Sequence, residues 1–197
     1  MKKILVINGG QVFPPSEGRL NRTIAEWTVD FFKDKGYEIK LTDIKEEYDP
    51  QQEVEKLVWA DLIVYHTPIW WYYLPHDLKK YMDIVFNMGH QNGMYFSDGR
   101  RSADPKRNYG RGGLMQATKY MLTTTWNAPE EAFTMEGEFF EQRSVDDGVM
   151  YGFHKVNEFL GMSRVESFHF YDVFKNPDIE DFRQRYLKHL EKIVNQL

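Results

Sequence analysis

The chain contains no cysteine. Disulfides, a thiolate nucleophile and cysteine-ligated metal clusters are therefore excluded, and we assign no metal site. Long apolar runs are also missing. The amino end, MKKILVINGG, carries two lysines but only the four consecutive apolar residues Ile4–Ile7. That is far short of a signal peptide or a membrane span, so a cytoplasmic protein with no membrane insertion is expected. Positive charge is outnumbered, with 25 Lys and Arg against 30 Asp and Glu and a formal net charge of −5. Such a balance argues against a nucleic-acid partner. No repeat, linker or low-complexity segment interrupts the sequence.

Familiar nucleotide signatures are absent as well. Ile4-Leu5-Val6-Ile7 reads as a buried strand over Lys2–Asn8, ended by Asn8-Gly9-Gly10. No Gly-Lys-Ser/Thr follows these glycines, so this is not a Walker loop, and their spacing is not G-x-G-x-x-G. The acidic pair of a phospho-acceptor site is missing after the strand. ATP and a Rossmann-bound nicotinamide are thus disfavoured. A turn-rich stretch, Gln11–Gly18, then runs into a helix start with Ser16, Gly18, Asn21 and Thr23 at the junction. Free N–H groups, hydroxyls and the helix dipole there suit a phosphate. The alternative is that Ser16 or Asn21 only caps the helix.

Aromatic residues, by contrast, are abundant at 16% of the chain, and they must lie in a core, a ligand site or an interface. Four stand together, Trp70-Trp71-Tyr72-Tyr73, between a β-branched run and an amphipathic helix. Leu62-Ile63-Val64-Tyr65 reads as a buried strand over Asp61–Thr67. Pro75 opens a helix with Leu78, Tyr81, Met82 and Val85 on one face. A loop leaving the carboxyl end of a strand is where α/β proteins bind ligands. Flat side chains there suit a flat ligand; a hydrophobic lid or a subunit contact would also account for them.

The remaining pattern alternates. Leu20, Ile24, Trp27 and Phe31 predict a helix stopped by Gly36, followed by a strand at Glu38–Asp43 and a short helix at Gln51–Leu57. A long polar loop covers about 89–113. Lys119–Thr125 predicts a fourth strand, Val149–Leu160 a helix, Val165–Tyr171 a fifth strand, and Ile179 to Ile193 a closing helix. Alternating strands and helices predict a parallel sheet covered on both faces. The expected fold class is α/β, a three-layer sandwich forming one domain over residues 1–197, with strand order 2-1-3-4-5. In that order the switch point lies between strands one and three, where the phosphate-suited and aromatic loops emerge.

The chain also resembles a known family, the flavodoxin-like NAD(P)H:quinone oxidoreductases, and within it the bacterial modulator of drug activity B branch. The resemblance is carried by INGG at 7–10, SEGRLNRT at 16–23, WADLIVYHTPIWW at 59–71 and LKKYMDIVF at 78–86. It continues through SDGR at 97–100, YGRGGLMQ at 109–116, KYMLTTTWNAPEEAF at 119–133 and FHKVNEFLGM at 153–162. It implies a flavodoxin-like fold, FAD as cofactor, two-electron ping-pong reduction of quinones by NADPH or NADH, and a homodimer with flavin between the subunits.

Carried over by position, the resemblance places the FAD phosphates on Ser16, Glu17, Gly18, Arg19, Leu20, Asn21, Arg22 and Thr23. It sets Pro68, Ile69, Trp70, Trp71 and Tyr72 against the isoalloxazine, with Tyr109 as a further contact. Thr125, Trp126, Asn127 and Ala128 border the pyrimidine edge. Trp126-Asn127 replaces a glycine pair of the mammalian members, and their Tyr/His pair has no evident counterpart, with Phe133 nearby. Tyr72, Tyr109, Tyr151 and His154 are the candidates for handling a proton. Arg100, Arg101, Lys106, Arg107 and Arg111 could meet the 2′-phosphate of NADPH or form a solvated basic loop. Two other readings remain. A one-electron carrier would hold FMN, and a non-catalytic module would use the Trp70–Tyr73 patch for a partner.

Overall fold

The computed structural model describes residues 1–12, 17–175 and 177–197. Its centre is a parallel sheet built from β1 (Lys3–Asn8), β2 (Glu38–Asp43), β3 (Leu62–Pro68) and β4 (Lys119–Thr125). β5 (Ser163–Arg164) and β6 (Phe168–Phe170) complete it. The order is β2-β1-β3-β4, with β5 and β6 both pairing with β4. The central strands are apolar on both faces because helices cover both faces.

Side-chain alternation divides the core in two. Leu5, Ile7, Ile63, Tyr65, Tyr120 and Leu122 point to one face, under α2 (Pro50–Trp59), α3 (His76–Met88) and α5 (Tyr151–Phe159). Ile4, Val6, Leu62, Val64 and Met121 point to the other, under α1 (Arg19–Asp34) and α6 (Ile179–Val194). One further short helix, α4 (Glu131–Thr134), follows β4.

Two sequence expectations are adjusted. The fifth strand is split. Tyr120 faces Arg164 and Thr123 faces Phe168, so the two intervening residues of β4 oppose the three residues 165–167. One extra residue makes a bulge, and the freed Glu166 carbonyl accepts from His189 Nε2 at 2.9 Å. The buried face of α1 is also rotated from its expected position. Ile24 lies on it, but Leu20, Trp27 and Phe31 are only half-buried, while Asn21 and Thr28 are buried. Apolar spacing alone misses these two polar residues, whose side chains find buried hydrogen-bond partners.

The stretch at 89–113 is tightly folded. Tyr95 bridges to both His90 and Gly113, Met94 is buried, and Gly113 lies against the end of α5. A Cβ on Gly113 would stand 2.1 Å from the Leu160 carbonyl carbon, so only glycine fits there.

Candidate functional site at the strand carboxyl ends

Because the sheet is parallel, β1, β3 and β4 end at the same edge. Three chain segments leave it side by side. After β1, Gly9 N donates to His66 O at 2.7 Å and Gly10 N to the Asn8 side chain at 3.0 Å. The buried Gln11 side chain bonds Asp77 at the start of α3, and its Oε1 accepts from Asp77 N at 3.2 Å. The predicted contact Ser16 lies outside the described residues.

The chain re-enters at α1 through Gly18, whose φ of 68° is left-handed. A Cβ there would approach Gln11 O to 2.9 Å. Among the described residues no side chain caps this helix end, and no acid stands in its first turn. The positive end of the helix is thus not neutralised by an acid of its own first turn. These properties fit a phosphate. Asn21 is buried, Leu20 and Thr23 are half-buried, and Glu17, Arg19 and Arg22 are exposed, Glu17 pairing with Arg19 at 3.1 Å.

After β3, Ile69 N donates to Thr125 O at 3.1 Å, locking this segment to the end of β4. Trp70 and Tyr73 exchange backbone hydrogen bonds of 3.0 Å, closing a two-residue turn. Its central residues, Trp71 and Tyr72, have φ values of 47° and 63°. Asn and Gly are the residues that favour this turn. Two bulky aromatics held there carry strain, which concentrates at functional sites. Trp71 is 91% exposed. Tyr72 stacks on Phe139 with centroids 5.4 Å apart.

The third segment, Trp126–Ala128, is fastened to the end of β6 and the chain just beyond it. Trp126 N donates to Phe170 O at 2.8 Å, Val173 N to Trp126 O at 3.0 Å and Asp172 N to Ala128 O at 3.1 Å. Trp126 is buried against Phe133, which stacks on Phe140 at 4.0 Å. Asn127 is exposed. The edge therefore carries an aromatic wall formed by Tyr72, Trp126, Phe133, Phe139 and Phe140. Sequence reading missed Phe139 and Phe140, whose neighbourhood has no helix or strand periodicity. Their only signal was two adjacent aromatics in a polar stretch.

The chain belongs to the flavodoxin-like NAD(P)H:quinone oxidoreductases. Residues 2–194 match the family described as having a flavodoxin-like fold. The chain is 45% identical over 190 residues to the NADPH:quinone oxidoreductase MdaB of Haemophilus influenzae, covering 96% of this chain and 98% of that one. It is 44% identical over 191 residues to an uncharacterised protein of Schizosaccharomyces pombe, covering 97% and 96%. A Klebsiella pneumoniae protein proposed to be a quinone reductase shares the fold, with a TM-score of 0.76 and 19% identity over 98% of this chain and 85% of that one.

Within this quinone oxidoreductase fold, two of the sequence candidates lie away from the edge. His154 is 3% exposed on α5. Its Nε2 donates to Asp146 Oδ1 at 2.8 Å, and its Nδ1 accepts from the Tyr120 hydroxyl at 3.0 Å. His169 approaches the same carboxylate through Nε2 at 3.5 Å, and Arg164 at 3.5 Å. Burial pushes the Asp146 carboxyl up, but the two imidazole N–H groups outweigh it and hold the acid well below the usual range. His169 Nδ1 accepts from Thr124 Oγ1 at 2.7 Å, which itself accepts from Trp126 Nε1 at 2.7 Å. Asp146 thus anchors a hydrogen-bond chain that ends on Trp126.

Tyr109 is 70% exposed and packs on Phe159, the last residue of α5, with centroids 5.9 Å apart. The other end of α5 abuts the Trp70–Tyr73 turn, where a Cβ on Gly152 would lie 3.8 Å from the Tyr73 hydroxyl. A helix of nine residues spans about 13 Å at 1.5 Å per residue. Tyr109 is therefore separated from the turn of its own chain by roughly that length. It borders a groove of about 430 Å³ between α3 and α5, lined by Met82, Phe86, Tyr95, Phe159 and Leu160. Tyr151 is exposed at the start of α5. In the long loop, Arg100 is held by Asp98 at 2.6 Å and Arg107 faces Asp104 at 3.6 Å. No described helix is long and apolar enough to cross a membrane.

Proposed function

We propose that the protein is an FAD-dependent enzyme that reduces quinones to hydroquinones by two electrons, with NADPH (or NADH) as donor, in a ping-pong cycle. One observation carries the reading: a glycine-led helix start with no acid in its first turn and an aromatic wall lie together at the strand carboxyl edge. The first suits phosphate and the second a flat ring system. The 45% identity to a protein named NADPH:quinone oxidoreductase supports the same assignment.

In this reading Gly18 to Thr23 hold the phosphates. Ile69 to Tyr72 and Thr125 to Ala128 border the ring. The flavin, when bound, supplies hydride acceptance and hydride delivery. The chain supplies a flat recess that one substrate fills at a time and from which aromatic surface displaces water. Asn21 and Ile69 both bond to Thr125, keeping the recess walls in register. Tyr72, half exposed and hydroxyl-bearing, is the candidate for passing a proton to the quinone oxygen.

A homodimer completes the proposal. Trp71, Phe139 and Tyr109 are exposed, and the groove beside Tyr109 has an apolar floor flanked by Lys79, Asp83 and Lys155, which is the character of a surface that meets another. Tyr109 lies too far along α5 to serve its own recess, so it would serve the recess of a second copy.

The visible spectrum of the purified protein, with mass determination of the released cofactor, tests the assignment. A yellow protein that releases FAD and oxidises NADPH when a soluble quinone is added is the expected result. Stoichiometric FMN release would instead favour the one-electron carrier, and a colourless protein that FAD does not reconstitute would favour the binding module.

A further inference from the structure

The β2–α2 turn sends one side chain toward the amino end of α1. Lys45 Nζ lies 3.1 Å from the position that a Cβ on Gly18 would occupy. This ammonium nitrogen is sealed from solvent and has no hydrogen-bond partner. A buried ammonium normally has an anion or several acceptors, because its hydration has been given up.

Two described carboxylates of these segments are engaged elsewhere. Asp43 accepts from Asn8 Nδ2 at 2.9 Å and from the backbone N–H of Lys45 at 3.1 Å. Glu17 is taken by Arg19 at 3.1 Å. The α1 end offers no compensating acid, and its own partial charge is positive. Two positive features thus converge on Gly18 at the start of α1.

We propose that Lys45 is a phosphate-binding residue whose ammonium takes a phosphate oxygen of the flavin nucleotide at the start of α1. This rests on the flavin reading above and adds a residue outside the 16–23 stretch. It also accounts for an otherwise unfavourable arrangement. In the cofactor-free protein Lys45 is a burden, and phosphate converts it into a charge-assisted contact. FAD and FMN both present phosphate, whereas riboflavin has the same ring system and none.

The test uses the full chain stripped of bound flavin. Wild type, Lys45→Met and Lys45→Arg are titrated with FAD, FMN and riboflavin at low and high salt. For Lys45→Met, FAD or FMN binding should weaken by about ten- to a hundredfold, with a shallower salt dependence and riboflavin binding unchanged. Lys45→Arg should recover part of the loss, and the flavin-free Lys45→Met protein should melt at a higher temperature than wild type. The nucleotide that suffers the larger loss identifies the phosphate source. If wild type binds FAD but Lys45→Met binds it as tightly and with the same salt dependence, the Lys45 assignment fails. An equal loss for riboflavin also overturns it, because the effect would then be structural. A wild type that binds none of the three flavins would remove the flavin reading itself.

Discussion

Asn21 Nδ2 donates to Thr125 Oγ1 across 3.2 Å, joining the first turn of α1 to the last residue of β4. The residues are 104 positions apart, both are buried, and each belongs to a segment proposed to hold the cofactor. Replacing Asn21 with Ala leaves the Thr125 hydroxyl buried without this donor. The expected cost is about 1–3 kcal/mol of folding stability, read from urea unfolding of flavin-free protein, together with looser FAD binding. Unchanged values for both would mean the contact is dispensable.

His154→Gln separates structure from chemistry. Both imidazole nitrogens are engaged, by Tyr120 and Asp146, well inside the protein. We expect about 1–3 kcal/mol lower stability from the two disturbed partners, with flavin reduction by NADPH and quinone turnover retained. A selective collapse of quinone reduction, with flavin reduction intact, would instead make His154 the proton donor.

The protein should also lose stability in mild acid through His66. Thr28 Oγ1 donates to Ile24 O, so it can only accept from His66 Nε2 at 3.0 Å, and the other nitrogen, Nδ1, has no partner. Burial lowers the His66 pKa to about 3, below the roughly 6.5 of an unfolded histidine. The unfolded chain therefore takes the proton first. Stability is whole above pH of about 6.5 and falls as pH drops toward 3, by about 1.4 kcal/mol per unit. Between pH 6.5 and 5 the His66 share is about 2 kcal/mol. Urea midpoints for His66→Gln should fall less steeply over that window. A residual slope should remain from His189, whose pKa burial also lowers. An identical slope in the variant would exclude His66 as the source.

Trp71 holds a left-handed backbone conformation while 91% exposed. Such strain costs on the order of 1–3 kcal/mol, and the exposed ring offers little packing within its own chain. If a second copy covers it, Trp71→Asn should give a protomer at least as stable as wild type that sediments as a monomer. A variant that stays dimeric at low micromolar concentration would place the interface elsewhere.

If one aromatic recess serves both donor and acceptor, they bind in turn. Initial rates with NADPH and menadione should give parallel double-reciprocal lines, and excess quinone should compete with NADPH. Trp70→Ala removes an aromatic ring from the segment proposed to border the flavin. Stacking of this kind is worth about 1–3 kcal/mol, so flavin or substrate binding should loosen by roughly ten- to a hundredfold. Intersecting lines would show that both substrates bind together and would end the single-recess mechanism.

The sequence by itself determined the first four strands, most helices and the strand order. Ile4–Ile7 and Leu62–Tyr65 are short apolar runs that only a doubly covered parallel sheet can bury, and Leu78, Tyr81, Met82 and Val85 mark the buried face of α3. These signals are local: a period of two or of 3.6 is written in neighbouring residues. The carboxyl-edge loops followed from the same reasoning, since the order 2-1-3-4-5 fixes where the switch point lies. Tertiary structure decided what depends on distant segments meeting. Asn21 and Thr28 are buried because Thr125 and Tyr186 meet them across the fold. Phe139 and Phe140 become a wall only once Tyr72 and Trp126 arrive beside them. His154 faces Asp146 through a buried pairing, and Tyr109 is carried to the far end of α5, where a helix of fixed rise separates it from the aromatic turn. Polar pairing and aromatic stacking have no period along the chain, so only closure of the fold assigns their partners.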